Sequence, residues 1–230
     1  MEPAYNKRLF SSGLRKRWHL ARFYWLREQL SRDFGLSLQG CSVIELGCFD
    51  AKTLDYLPSR PRHYMGYDAG WGGGLDHAQQ RYLSDPDVNL ALCQSPEDIV
   101  GNYDLAICLE TLEHLPLDQL DSFVAKLAAS APRLYASVPV EWGPVFLMKH
   151  AYKVATLNRP DAYTLRELAA ATVGMTSAVG RVEGVHKGFD YRVLMELIRR
   201  NYNSVQAFNL HLPSLPLWMS GGVGLVASNR

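Results

Sequence analysis

Apolar positions along the chain follow two different rhythms. Over residues 14–34 they recur at helical spacing, at Leu14, Trp18, Ala21, Trp25 and Leu26, and Arg15, Lys16, Arg17, Arg22, Arg27 and Arg32 decorate the rest of the predicted helix. From residue 41 short apolar runs take over. Residues 42–46 end at Gly47 and read as a buried strand; residues 51–57 read as a helix stopped by Pro58. Further strands are expected at 63–67, 88–93, 104–109 and 133–138, with helices at 75–83 and 117–129 between them. Strands alternating with helices predict an α/β fold, a mostly parallel, doubly wound sheet with helices on both faces.

After Pro139 the alternation breaks. Residues 140–189 carry Trp142, Pro144, Pro160 and several glycines, with a helical stretch near 164–172, and read as a lid inserted over the acceptor side of the sheet. A helix at 190–200 and strands at 204–210 and 223–228, forming a hairpin, complete a seven-stranded sheet. The apolar loop 213–218 offers an interface for a homodimer. The whole, 1–230, is expected to be one domain, with 1–40 as a helical N-terminal extension.

Composition narrows the function. The 230 residues are 47% hydrophobic and 20% charged, in the range of an ordered globular chain. A net charge of +1 provides no field for nucleic acid, so no nucleic-acid partner is expected. Lys7, Arg8, Arg15, Lys16 and Arg17 precede no long apolar stretch, and no run reaches membrane-spanning length. Cys41, Cys48, Cys93 and Cys108 show no CxxC spacing and read as buried thiols of a cytoplasmic protein.

In an open α/β sheet, ligands bind beyond the carboxyl ends of the strands. The first strand carries Glu45 and then turns at Gly47, whose missing Cβ permits close approach, with Asp50 following. The second ends at Asp68; a carboxylate offers several acceptor sites and no donor, which suits a diol, and Asp68 equally suits capping of the glycine loop that begins at Gly70. After the third strand come Ser95, Glu97 and Asp98, which suit either a ligand contact or a helix N-cap with an acidic first turn. The fourth runs through Asp104 to Leu109, Glu110, Glu113, His114 and Leu115.

These segments, in this order, resemble the motifs of class I methyltransferases that use S-adenosylmethionine (SAM), over about residues 40–140. The resemblance implies a Rossmann-like fold, SAM as donor and S-adenosylhomocysteine as product. It assigns Glu45, Gly47, Asp50, Asp68, Ser95, Glu97, Leu109 and Glu110 to the cofactor. Phe49 and Ala51 depart from the pattern, standing where further glycines often sit; the same departure disfavours the GxGxxG dinucleotide fingerprint.

Were the segment after the fourth strand helical, Glu110, Glu113 and His114 would share one face. Their spacing resembles the metal site of ubiquinone-pathway O-methyltransferases and of small-RNA 3′-end methyltransferases. That resemblance implies a Mg²⁺ held by Glu110, Glu113, His114 and the later His186. Without a metal, His114 or His186 suits removal of the acceptor proton, because an imidazole titrates near working pH.

The segment 137–144, with 186–190, resembles bacterial methyltransferases of surface-polysaccharide biosynthesis. It implies O-methylation of a small-molecule or glycan acceptor. A lipid-linked glycan would give the basic N-terminal helix a role at the membrane surface. Two other readings stay open: a phenol or quinone-pathway acceptor, and a non-catalytic SAM-binding partner protein.

Overall fold

The computed structural model describes residues 13–157, 163–182 and 184–229; Lys7, Arg8 and the side chain of Leu14 lie outside the described residues. Seven strands form one sheet: β1 (Ser42–Leu46), β2 (His63–Asp68), β3 (Val88–Leu92), β4 (Leu105–Leu109), β5 (Arg133–Pro139), β6 (Ser204–Asn209) and β7 (Gly222–Ser228). Their order is β3-β2-β1-β4-β5-β7-β6. Pairings from β3 to β5 are parallel; β7 runs antiparallel to both β5 and β6, so the last two strands form the expected hairpin.

The period-two alternation of the strands divides the core into two layers. Ile44, Leu46, Ala106 and Cys108 face one way, against Leu120, Phe123, Val124 and Leu127 of α3 (Leu117–Ser130) and Leu194 and Ile198 of α6 (Tyr191–Asn201). Val43, Leu105, Ile107 and Leu109 face the other, against α1 (Gly13–Phe34) and α2 (Gly74–Arg81). The basic N-terminal helix is therefore part of the core. Leu20, Phe23, Leu26 and Leu30 bury its inner face, and Trp18 and Trp25 lie over Gly221 and Gly224, where a Cβ would meet their rings at 1.8 and 2.4 Å. Trp18 also stacks on His211 with centroids 3.7 Å apart.

Two expectations are corrected. Residues 51–57 do not form an α-helix; only a 3-10 turn, Lys52–Asp55, appears, because Ala51 opens it in the left-handed region at φ 54°. Conversely, a helix not expected from sequence, α4 (Gly143–Leu157), fills the first part of the inserted segment. Pro144 stands at its start, where the missing N–H costs nothing, and opens the helix rather than breaking it. The remainder of the segment contains α5 (Leu165–Thr172), capped by Thr164 and Glu167, and a small cluster of Phe146, Ala171 and Val179. The outer face of α4 is apolar, with Met148 and Tyr152 about as open to solvent as each other, at 70% and 69%. Among the described residues no helix is long and apolar enough to cross a membrane. The four cysteines are free thiols.

Trp25 is nearly enclosed and touches β7 where glycine leaves room. Trp25→Ala is expected to lower stability by roughly 3–5 kcal/mol in urea unfolding, with the glycine surface left bare.

Candidate functional site

The loops after β1, β2, β3 and β4 all lie at the carboxyl edge of the sheet, and this edge holds nearly every residue singled out from sequence. Gly47 turns the chain out of β1 at φ 80°. A Cβ there would lie 2.0 Å from the Thr111 hydroxyl oxygen, so the β1 loop closes against the β4 loop only because residue 47 is glycine.

Three non-glycine residues among the described ones have left-handed backbones: Phe49 (φ 47°), Ala51 (φ 54°) and Glu110 (φ 53°). All three are in these two loops, and each such residue costs about 1 kcal/mol or more. Phe49 and Ala51 thus adopt a left-handed backbone of the kind glycine takes most readily. The ring of Phe49 also fills the space over Gly74, where a Cβ would meet it at 2.3 Å, and lies 5.6 Å from the exposed ring of Trp71.

Glu45 is buried beneath this turn and points away from solvent. It accepts hydrogen bonds from Thr53 Oγ1 (2.6 Å) and from the Tyr64 hydroxyl, tying the 3-10 turn to β2. Burial pushes its carboxyl up to about 7, although both hydrogen bonds work against the rise. Its part is to support the turn. Asp50 is also buried. Asp68, at the end of β2, accepts from the backbone N–H of Phe49 (2.9 Å) through one oxygen and of Gly70 (2.8 Å) through the other. It fixes both flanking loops, and burial raises its pKa despite those two bonds. Two of its lone-pair sites remain for a ligand. After β3, Ser95 and Asp98 form a capping box around a 3-10 turn, Pro96–Asp98, while Glu97 is exposed. The helix-capping alternative for this segment is thus realised in the structure.

Beyond β4 the expected α-helical face does not form. Leu109 is buried at the strand end, Glu110 turns sharply, and only Leu112–His114 make a 3-10 turn. Glu113, His114 and His186 nevertheless come together, each offering a ligand atom within 4.8 Å of the others. Glu110 stands outside that group of three, although its charge reaches Glu113. Glu113 is wholly buried, and neither of its carboxylate oxygens has a hydrogen-bond partner among the described residues. Burial, then the neighbouring Glu110, pushes this carboxyl well above the usual range. An ionised carboxylate in such a place is costly unless a cation accompanies it.

His114 Nε2 and His186 Nε2 lie 3.2 Å apart and 3.9 and 3.8 Å from Glu113 Oε1. His114 Nδ1 is 3.1 Å from the carbonyl oxygen of Gly184, which can only accept, so the proton of that bond sits on Nδ1. Burial, followed by the charge of His186, lowers the pKa of His114.

The loop that delivers His186 is anchored twice. Arg181 donates to the backbone oxygens of Glu113 and Val185, and Lys187 pairs with Glu167 at 2.9 Å. Sequence reasoning missed Thr111, Arg181 and Lys149; Lys149 meets Glu141, a weaker base candidate from sequence, at 3.1 Å. Glu141 carried a signal: a carboxylate directly after the apolar run of β5. Burial pushes Glu141 up, but Lys149 and His186 outweigh it and hold the carboxyl below its ordinary value.

No family model matches this chain, and no curated protein matches it in sequence. Its likenesses are to solved structures. The methyltransferase domain of a bacterial Hen1, CtHen1, superposes with a TM-score of 0.59 at 16% identity, covering 92% of this chain and 99% of that one. The magnesium protoporphyrin IX methyltransferase of Synechocystis PCC 6803, solved with bound S-adenosylhomocysteine, gives 0.59 at 16%, covering 97% and 92%. The N-terminal domain of EvdMO1, solved in the presence of S-adenosylhomocysteine and D-fucose, gives 0.55 at 18%, covering 89% and 83%. At these identities the likeness is one of fold, and the fold is the Rossmann-like methyltransferase fold with an added N-terminal helix.

The supporting role of Glu45 has a pH signature. Its pKa is raised on folding, so the folded state binds more protons than the unfolded state between about 4.5 and 7. Stability contributed by the protonated group is present at low pH and is lost as pH rises through that window. Glu45→Gln should flatten this segment of a stability–pH profile, by up to about 3 kcal/mol across it; an unchanged slope would show that Glu45 is ionised in the fold.

Proposed function

We propose that this chain is a SAM-dependent methyltransferase that methylates a hydroxyl of a small-molecule or glycan acceptor, with a divalent cation beside the acceptor. The observation that carries this reading is the convergence of the unpartnered Glu113 carboxylate with two imidazoles, next to loops shaped like a SAM site. Structural neighbours solved with S-adenosylhomocysteine support the choice of cofactor.

The donor brings its methyl already activated on a sulfonium, so the protein's task is alignment. Asp68 would accept the ribose hydroxyls through the lone pairs that Phe49 and Gly70 leave free. Gly47 and Asp50 would border the methionine part, Ser95 and Glu97 the adenine, and Leu109 and Glu110 the floor beneath. Glu113, His114 and His186 offer one carboxylate and two imidazole nitrogens, a donor set that suits a first-row divalent ion as well as Mg²⁺, with the charge of Glu110 felt at Glu113. A cation held there would lower the pKa of an acceptor hydroxyl and fix its oxygen.

A second reading rests on the lowered pKa of His114, which keeps that imidazole neutral and ready to take the acceptor proton itself. The two tasks exclude each other, since an Nε2 lone pair that holds a cation cannot also receive a proton. The uncompensated Glu113 favours the cation. Among acceptors, a glycan fits the sequence resemblance. The exposed Arg15, Lys16 and Arg17 at the start of α1 would suit one carried on an anionic lipid.

Titration calorimetry with S-adenosylhomocysteine should show binding, weakened about tenfold or more, roughly 1.4 kcal/mol, by Asp68→Asn; equal affinity in the variant would remove Asp68 from the ribose. With an acceptor in hand, glycans being tried first, EDTA or Glu113→Gln should cut turnover by about 100-fold or more. Turnover that survives both treatments would leave His114 as a base acting alone.

A further inference from the structure

We propose that Glu141, clamped by Lys149, is a positioning residue that holds the His186 ring so that its Nε2 faces Glu113 and His114. The proposal deepens the reading of the cation site and rests on it.

The two imidazoles meet through the same atom, Nε2, at 3.2 Å. Without an ion that contact is a hydrogen bond in which one Nε2 keeps a proton; for both to present a lone pair to a cation, each must carry its proton on Nδ1, and each Nδ1–H then needs an acceptor on its far side. His114 has one in the carbonyl oxygen of Gly184. On the far side of His186, Glu141 Oε1 lies 3.7 Å from Nδ1. That is ion-pair reach, and a small ring rotation would bring it to hydrogen-bond length.

Glu141 is well placed to be rigid. Its side chain is only 12% exposed, it follows β5 directly, and Lys149 from the second turn of α4 reaches the same Oε1 at 3.1 Å. A buried carboxylate with one face held by an ammonium presents its charge in one direction, and that direction is the His186 ring. Lys149 thereby links the helix of the inserted segment to the orientation of a ring delivered by a different loop. His186 needs such a brace more than His114 does. His114 ends the 3-10 turn that comes after β4, whereas His186 stands on a glycine-flanked loop between Gly184 and Gly188, both with positive φ.

The direct test is the tautomer of His186, read from long-range ¹H–¹⁵N spectra of the protein labelled on its imidazoles and loaded with Zn²⁺, a diamagnetic ion that takes imidazole ligands. Wild type should show the Nδ1–H form. Glu141→Ala should shift the ring toward the Nε2–H form, and Glu141→Gln, which keeps an acceptor oxygen, should largely restore Nδ1–H. Lys149→Met should give an intermediate spectrum. An Nε2–H ring in wild type, or a tautomer unmoved by Glu141→Ala, overturns the proposal.

Titration with Mn²⁺ supplies a separate readout. If wild type binds Mn²⁺ and Glu113→Gln does not, Glu141→Ala should weaken binding by about 10-fold or more, as loss of a ligand-orienting partner does; unchanged Mn²⁺ affinity counts against the brace. If wild type binds neither Mn²⁺ nor Zn²⁺, the cation reading fails; if wild type binds them and Glu141→Ala binds equally well, the brace alone fails.

Discussion

The contact between Gly47 and Thr111 governs the layout of the carboxyl edge. The first loop leaves β1 and the fourth leaves β4, two strands that are neighbours in the sheet. They can both turn over the same edge only because one of them has no side chain at the crossing. Thr111 takes up the space, and its hydroxyl donates to the backbone oxygen of Leu109 at 3.1 Å, closing its own turn. On one side of this crossing lie Glu45, Phe49 and Asp68; on the other lie Glu110, Glu113 and His114. Their mutual placement is set by a steric fit between loops more than by any hydrogen bond across them.

From that fit, support runs outward through buried carboxyl groups. Glu45 sits under the first loop with both oxygens satisfied, and Asp68 is divided between two backbone donors. Glu113, across the crossing, is buried just as deeply with neither oxygen hydrogen-bonded among the described residues. The same residue type in comparable burial is thus a brace in one loop and an open demand in the other. Proteins rarely leave a buried carboxylate in that state without a ligand to answer it.

The strands and the doubly wound sheet were legible in the sequence because strands buried on both faces write themselves as short apolar runs. The strand-end residues were legible because their order along the chain repeats a known pattern. Two parts were hidden. The first was α4, since Pro144 and the surrounding glycines look like loop letters until Pro is seen to stand at a helix start. The second was the means by which Glu113, His114 and His186 meet. A shared helical face was expected, whereas a 3-10 turn and a long-range loop pinned by Arg181 bring them together. No local period encodes such a contact. Periodicity does foretell an N-terminal helix packed on the main domain, but not where it lands, because that is decided by a pair of small residues, Gly221 and Gly224, some two hundred positions away.

The left-handed backbones of Phe49 and Ala51 separate two things usually found together, the spelling of a turn and its shape. A glycine-rich turn is recognisable from its letters because the letters permit the geometry. Here the geometry is imposed from outside, by the ring of Phe49 seated over Gly74 and by the enclosed Ala51, and the letters have become free to change. The likenesses of this chain lie in fold, at 16–18% identity, and not in any family model. Such a turn also has few other conformations in which to rest, so a ligand arriving at it meets a surface already set.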